Sequence, residues 1–248
     1  MASEGTKSGS EHVAYFRDAF NKEIKDCKDS VDTRDVERLM NDAEYATLFL
    51  NWSKSDEDAV NLAVKCLKWR LTKKVNDLTI ENVGEEAFKA GHLFLLGQSK
   101  KGSRILHFRT GMLDKKDRER SMNLLIFWLE RIQRKEPGEL ITFIMDTTGT
   151  SMRNSDMAFT TFIIECFTTY FPSMLERIII YNLPTLLNSI WKLVSKMLSA
   201  EQREATVLCG KEGLKQYIDV ENLPESMGGK VNFEYSFPPF PDDLDNDQ

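Results

Sequence analysis

The residue whose position best suits catalysis is Asp146, which ends a buried apolar strand and precedes Thr147, Thr148 and Gly149. An α/β enzyme keeps catalytic carboxylates at such carboxyl ends of strands. The same position also suits an aspartate that caps a turn before a glycine. A catalytic carboxylate needs a base, a nucleophile, a metal set or a cofactor loop beside it, and none accompanies Asp146. We therefore expect the capping role.

The three histidines do not form a catalytic or metal-binding pattern. His12 lies near the N-terminus, while His92 and His107 lie in strand-like runs, where a structural histidine is expected. The sequence has no HExxH, no GxSxG and no GxGxxG pattern. The four cysteines are widely spaced without a CxxC pair, which predicts reduced thiols: Cys27, Cys66, Cys166 and Cys209. We expect no enzymatic activity, no metal and no cofactor.

Two strands that are apolar on both faces dominate the middle of the chain, one ending at Asp146 and the other covering Ile178–Tyr181. Strands of this kind are typical of mostly parallel sheets with helices above and below. The helix predicted between them, Asp156–Phe171, is apolar around most of its surface. Strand, helix, strand at this spacing predicts an α/β layer architecture.

The helix predicted over Thr185–Ser199 has one broad apolar face. Exposing its large side chains would cost roughly 1.5 to 3 kcal/mol each, so they must cover something. They either complete an ordinary core or form a lid over a cavity, and a lid that opens would present them to a bilayer. These side chains are Leu186, Leu187, Ile190, Trp191, Val194, Met197 and Leu198.

The 248 residues, 41% of them hydrophobic, can bury a substantial core. Residues 1–10 are small and polar and predict a disordered N-terminus. Residues 11–80 have helical periodicity and predict a small bundle, and residues 81–235 contain the sheet. The tail, residues 236–248, is proline-rich and then acidic and predicts disorder.

The net charge of −6 is unevenly distributed, because residues 98–135 contain eleven Lys/Arg and four Asp/Glu. These charges are either the solvated faces of a turn and a helix or a patch that docks on anionic headgroups. Nucleic acid is not expected, because Phe108, Phe127 and Trp128 have the pattern of buried residues. The candidate patch is Lys100, Lys101, Arg104, Lys115, Lys116, Arg118 and Arg120.

Several segments together resemble the CRAL-TRIO family of lipid-binding proteins. They are the KWR that ends the helical region at Lys68–Arg70, the buried IMDTTG, the segment YFPSMLERIIIYNLP and the turn LPESMGG. The resemblance extends from Thr33 to Gly229. It implies an α/β fold in which a small helical bundle precedes a mostly parallel sheet, with flanking helices that enclose an apolar pocket under a gate helix.

The resemblance implies a lipid site on the sheet and the gate. The candidate lipid-binding residues are Phe108, Phe143, Met145, Phe159, Phe162, Ile163, Phe167, Tyr181, Leu187, Ile190, Trp191 and Val194. The candidate membrane-facing gate residues are Leu186, Leu187, Trp191, Met197 and Leu198. Family members that transfer phosphatidylinositol hold its headgroup with a glutamate and a lysine, and the matching positions here are Ser173 and Glu212, with Lys211 adjacent to the second. Either a less polar lipid or attachment to membranes and lipid droplets through the gate is therefore expected.

The leading hypothesis is a non-enzymatic protein that binds a hydrophobic lipid and engages membranes or lipid droplets. Transfer of the lipid between membranes is an extension of this hypothesis. The alternative is a protein-interaction or tethering module at endoplasmic reticulum contact sites with no lipid cargo. The resemblance implies partner proteins and an endoplasmic reticulum anchor if the chain is part of a longer protein. Without an apolar signal peptide at its start, the sequence predicts a cytoplasmic chain that is peripheral to membranes.

Overall fold

The computed structural model describes residues 9–152 and 155–237. The chain divides into two compact units. The first, which we call the helical unit, contains the residues up to Asp77 together with Cys166–Ser173. The second, the sheet unit, contains Leu78–Glu165 and the residues from Met174 onward.

Four helices form most of the helical unit: α1 (Gly9–Glu23), α2 (Thr33–Asn41), α3 (Ala43–Trp52) and α4 (Asp56–Lys73). Side-chain caps fix three of their starts, as Asp32 accepts a hydrogen bond from the Arg34 amide, Asp42 from Tyr45 and Ser55 from Asp58. Helix α1 already includes Gly9 and Ser10, which the sequence placed in a disordered segment. The rest of that segment, residues 1–8, and residues 238–248 of the predicted acidic tail lie outside the described residues.

The segment Cys166–Ser173, which the sequence analysis placed with the sheet, belongs to the helical unit. It begins with one turn of π-helix, Cys166–Tyr170. The ring of Tyr170 stacks on Trp69 with 3.8 Å between ring centroids, and the indole N–H of Trp52 donates to the Thr168 carbonyl at 2.9 Å. These contacts use aromatic residues of α3 and α4, and local periodicity could not show them.

The sheet unit contains five strands, β1 (Leu93–Gln98), β2 (Arg104–Arg109), β3 (Ile141–Asp146), β4 (Leu175–Tyr181) and β5 (Thr206–Cys209). They lie in the order β1-β2-β3-β4-β5, and only the β1–β2 pair is antiparallel. Strands β1 and β2 thus form a hairpin whose turn lies at Ser99–Ser103. The helices of this unit are α5 (Ile80–Val83), α6 (Glu85–Lys89), α7 (Arg118–Lys135), α8 (Met157–Glu165), α9 (Asn188–Val194), α10 (Ala200–Glu204) and α11 (Lys211–Leu214).

The two faces of the sheet are covered differently. On one face Ile144, Ile179 and Tyr181 pack in a closed cluster with residues that follow β5, among them Leu214 and Leu223. On the other face Phe108, Met145 and Ile180 stand side by side, because the strand register pairs Phe108 with Met145 and Met145 with Ile180. This second face forms the floor of a cavity.

The predicted long helix over Thr185–Ser199 is wrong in its extent. The chain forms a 3-10 turn at Thr185–Leu187, then the two-turn helix α9, and then tightens into backbone bonds from Lys196 to Leu193 and from Met197 to Val194. It stops at Ser199 because that residue starts the next helix. The Ser199 hydroxyl accepts from the Gln202 amide, while the Gln202 side chain accepts from the Ser199 amide at 2.8 Å.

A buried ion pair joins two helices of the helical unit. The Arg70 Nε donates to the Asp35 carboxylate at 2.9 Å, and both side chains are completely buried. Removal of one charge from such a pair leaves the other buried without its partner, which typically costs about 3–5 kcal/mol.

We expect Arg70→Met to lower the free energy of unfolding by about 3–5 kcal/mol in urea titrations, since it leaves Asp35 charged in the core. The double variant Asp35→Leu/Arg70→Met should be closer to wild type, because neither charge remains. Equal losses in the single and double variants would show that side-chain packing rather than the charge pair dominates at this position.

Candidate functional site

An apolar cavity lies between one face of the sheet and the segment Thr185–Ser199, which we call the gate segment. Its volume is about 90 Å³. The floor is formed by β2, β3, β4 and β5, one side by α8, and the cover by the gate segment. The apolar lining residues are Phe108, Leu113, Met145, Phe159, Ile163, Ile164, Ile178, Ile180, Leu183, Leu187, Ile190, Trp191, Val194 and Leu198.

Two-thirds of the predicted lipid-binding residues meet at this cavity. They are Phe108, Met145, Phe159, Ile163, Leu187, Ile190, Trp191 and Val194. The other four lie elsewhere. Phe143 and Phe162 are buried beside the lining, with their rings 6.3 Å from Phe108 and 6.5 Å from Phe159, and Phe167 belongs to the helical unit. Tyr181 lies on the opposite face of the sheet, in the closed cluster.

Sequence reasoning missed Ile178 and Ile180, which stand on the cavity floor three positions and one position before Tyr181 on β4. Their alternation along β4 was visible as a signal, but both faces of that strand are apolar. Only the pairing of Ile180 with Met145 decides which face meets the cavity. The polar lining residues were also missed: Thr110, Thr147, Thr150, Ser155, Asp156, Thr160 and Thr206.

The gate segment has an inner and an outer apolar face. Leu187, Val194 and Leu198 are buried against the cavity, and Trp191 is partly buried there. Three large side chains point outward, with exposed fractions of 69% for Leu186, 56% for Leu193 and 46% for Met197. Of the predicted membrane-facing residues, the structure thus places Leu186 and Met197 outside and Leu187, Trp191 and Leu198 inside. Leu193 was not foreseen.

The structure does not bring the predicted basic patch together. Lys100, Lys101 and Arg104 lie at the start of β2, while Lys115, Lys116, Arg118 and Arg120 follow its other end, roughly 17 Å along a strand of this length. Most of the seven also have acidic neighbours. Arg104 pairs with Glu136 at 2.6 Å, Arg118 with Asp156 at 2.7 Å, and Arg120, Lys100 and Lys101 lie within 4 Å of Asp117, Asp219 and Glu176.

The positions matched to a phosphatidylinositol headgroup site do not form a charge pair. The Ser173 hydroxyl donates to the Leu48 carbonyl at 3.0 Å within the helical unit. Glu212, in the sheet unit, is paired with Lys215 at 2.8 Å on the surface.

Asp146 and His107 have structural hydrogen-bond partners, whereas neither ring nitrogen of the buried His92 has one within the described residues. The Asp146 carboxylate accepts a hydrogen bond from the Thr148 amide at 2.9 Å, as expected of a turn-capping aspartate. His107 stacks on Phe94, and its Nε2 lies 3.1 Å from the Leu96 carbonyl. Burial lowers the pKa of His107 and of His92 to about 4, so both are neutral at pH 7. Within residues 9–152 and 155–237, no three His, Cys, Asp or Glu side chains are placed to hold a metal.

The helices of the described residues are too short or too polar to span a bilayer. None of the four cysteines forms a disulfide.

The comparison with known proteins agrees with this architecture. The phosphatidylinositol transfer protein CSR1 of Eremothecium gossypii is 29% identical over 198 residues, which cover 73% of this chain and 45% of that protein. The CRAL-TRIO domain-containing protein C3H8.02 of Schizosaccharomyces pombe is 25% identical, with 73% of this chain and 44% of that protein covered. The chain thus spans a little under half the length of these relatives.

A solved structure, that of Sfh5, superposes with a TM-score of 0.65 at 17% identity and covers 93% of this chain and 89% of its own. At this identity the match shows the fold alone, and it confirms the predicted α/β class. A prediction from the sequence that these comparisons do not test is a likeness to motile sperm domain-containing protein 2, based on the segments FWLER, IIECF, YFPSML, ENLPESMGG and FEYSFPPF. The CRAL/TRIO domain profile matches residues 88–229, more than half of the sequence, and the chain therefore belongs to the CRAL/TRIO domain family.

Proposed function

We propose that this protein binds a hydrophobic lipid in the cavity under the gate segment and transfers it between membranes without catalysing a reaction. The observation that carries this proposal is the two-sided gate, with Leu187 and Val194 facing the cavity and Leu186 and Leu193 facing outward. The name of the relative CSR1, a phosphatidylinositol transfer protein, supports lipid transfer as the class of function.

The small volume of the cavity supports a loading step in which the gate moves. A water molecule needs about 10–15 Å³ of such space, so a cavity of about 90 Å³ has room for roughly six to nine waters. A two-chain lipid is larger than this. Loading therefore displaces the gate segment, which is fixed to the rest of the unit mainly by its own inner side chains and by the capped turn at Ser199.

Displacing the gate needs an apolar environment. Each large inner side chain that leaves the cavity would cost roughly 1.5–3 kcal/mol in water. The outward Leu186, Leu193 and Met197 already form an apolar surface on the same segment. In a bilayer or a lipid-droplet surface, both the inner and the outward apolar side chains of the gate segment would be buried in lipid. Contact with a membrane would therefore favour the open gate.

This function fits a protein on the cytoplasmic side that associates peripherally with membranes or droplets. Attachment to the endoplasmic reticulum and contact-site partners would require further parts of a longer protein, as the partial coverage of the relatives allows. A second candidate function is a tethering or interaction module without lipid cargo. The small volume of the closed cavity favours it.

The outward leucines give the first test of membrane contact. The double variant Leu186→Asp/Leu193→Asp should reduce flotation with phosphatidylcholine vesicles by about tenfold or more, because each leucine contributes about 1.5–3 kcal/mol when buried in lipid. Leu140→Asp is the matched control, since Leu140 is a partly exposed leucine of the same unit outside the gate. Unchanged flotation of the double variant would contradict a membrane-entering gate.

Lipid cargo is tested by native mass spectrometry of the protein after incubation with vesicles of mixed natural lipids. We expect a discrete added mass for wild type and a lower occupancy for Ile180→Phe, which places a larger side chain on the cavity floor. Thermal unfolding of the variant shows whether it has kept its fold. Wild-type protein that floats with vesicles but never retains a lipid would favour the tethering module instead.

A further inference from the structure

The polar groups that line the cavity gather mainly at one end, which we call the hydroxyl corner. It is built from the end of β2, the loop after β3 and the first turn of α8. Its residues are Thr110, Thr147, Thr150, Ser155, Asp156 and Thr160. Among the lining side chains within residues 9–152 and 155–237, Asp156 is the only carboxylate, and none is a lysine, arginine or histidine.

The hydroxyl protons of this corner are used by the protein itself. Thr147 donates to the Tyr181 carbonyl at 2.7 Å and Thr160 donates to the Asp156 carbonyl at 2.9 Å. Thr110 donates to the Asp146 carbonyl at 3.0 Å. A hydroxyl has one proton and two lone pairs, so each of these oxygens can only accept a further hydrogen bond.

The remaining hydroxyls follow the same pattern with one exception. Because the Thr110 proton goes to a carbonyl, the contact between Thr110 and Thr150 requires Thr150 to be the donor. On the strand side of the cavity, Thr206 donates to the Gln202 carbonyl at 2.7 Å. Ser155 is the exception, since its contact with the Met152 carbonyl is 3.5 Å long.

Asp156 adds an ionised acceptor to the corner. Its side chain is only 2% exposed, accepts from the Arg118 Nε at 2.7 Å and accepts from the Phe159 amide at 3.1 Å. Burial alone would raise the pKa of this carboxyl, but the bonds from Arg118 and the backbone amides outweigh it and hold the pKa below its usual value. A carboxylate has about four lone-pair sites, so acceptor capacity remains.

Apart from Ser155, the corner therefore offers hydrogen-bond acceptors, which suit a ligand that supplies a donor. A phosphodiester is anionic and has only acceptors, so it would face a carboxylate and the lone pairs of committed hydroxyls. Arg118 does not line the cavity, and its charge is offset by Asp156. The indole N–H of Trp191 is a further donor of the lining, and it belongs to the gate rather than to the corner.

We propose that the cavity selects a neutral lipid alcohol, such as a sterol or a diacylglycerol, whose hydroxyl donates to Asp156 or to a neighbouring threonine oxygen. This inference rests on the proposed lipid-binding function and names the substrate class of the same site. The apolar lining then contacts the hydrocarbon part of the lipid, while the hydroxyl group of the lipid donates a hydrogen bond in the hydroxyl corner.

The test offers competing lipids to the protein at once. Purified chain is incubated with phosphatidylcholine vesicles that contain equal amounts of cholesterol, dioleoylglycerol and phosphatidylinositol, re-isolated and extracted for lipid quantification. We expect one of the two alcohols to be enriched about tenfold or more over phosphatidylinositol and phosphatidylcholine, relative to the vesicle composition, as one hydrogen bond to a charged group allows. Preference for either phospholipid would overturn the proposal.

Two variants separate hydrogen bonding from structural support. Asp156→Asn keeps the size and the helix-capping ability of the residue but replaces one acceptor oxygen with a donor, so the alcohol preference should fall about tenfold. Arg118→Gln breaks the same ion pair yet leaves the carboxylate in place, and the preference should remain above that of Asp156→Asn. Equal loss in both variants, with unchanged thermal unfolding, would assign Asp156 a structural role only.

The lipid content of the wild-type protein alone distinguishes failure of the proposed lipid-binding function from failure of the proposed substrate class. Retention of no lipid of any class would contradict the proposed function. Retention of phospholipid in preference to both alcohols would leave lipid binding intact and contradict only the assignment of the substrate class. A variant that fails to fold affects neither conclusion, because the wild-type lipid ratio decides them.

Discussion

The sheet unit depends on burial of both faces of its parallel strands. β3 and β4 are apolar on each side, and an uncovered face would expose several large side chains at roughly 1.5–3 kcal/mol each. One face is sealed by the residues that follow β5, which pack against Ile144, Ile179 and Tyr181. The other is covered by the short gate segment, which leaves a cavity. The first cover packs in a closed cluster, whereas the gate segment has a cavity beneath it. The face under the gate segment is therefore the candidate binding site.

The gate segment differs from an ordinary core helix in how it is bounded. Its helix α9 has only two turns, and the following bonds from Lys196 and Met197 are of the tighter 3-10 type. Ser199 and Gln202 then begin a new helix with a reciprocal cap. Short helices have little stability of their own, so such a segment is held mainly by its inner side chains. We therefore propose that the cover of the cavity is displaced more readily than its floor.

The polar end of the cavity derives its character from the backbone around it. Threonine hydroxyls in the corner donate to the carbonyls of Asp146, Asp156 and Tyr181, which satisfies backbone acceptors and leaves the threonine oxygens facing inward as acceptors. The cost of burying polar groups in an apolar cavity is thereby reduced, and the direction of the hydrogen bonds is set. The hydrogen bonds that satisfy these backbone carbonyls are thus also the basis of the ligand preference that we propose.

The sequence by itself determined the local elements and their apolar periods. The two-faced strands, the caps at Asp32 and Ser55 and the shared face of Leu187 and Val194 follow from neighbouring residues. Only the tertiary structure decided that Ile180 rather than Tyr181 lines the cavity. The two residues are neighbours on β4, and the register of β4 with β3 determines which of them faces the cavity.

Phe167 also lies in the helical unit, because its segment Cys166–Ser173 contacts Trp52 and Trp69 there. The apolar period of that segment does not predict these contacts. The acceptor character of Thr147 depends on the carbonyl of Tyr181, 34 positions away. Period and capping are properties of near neighbours, and sequence shows them. Strand register and hydrogen-bond direction join distant residues, so only the folded chain fixes them.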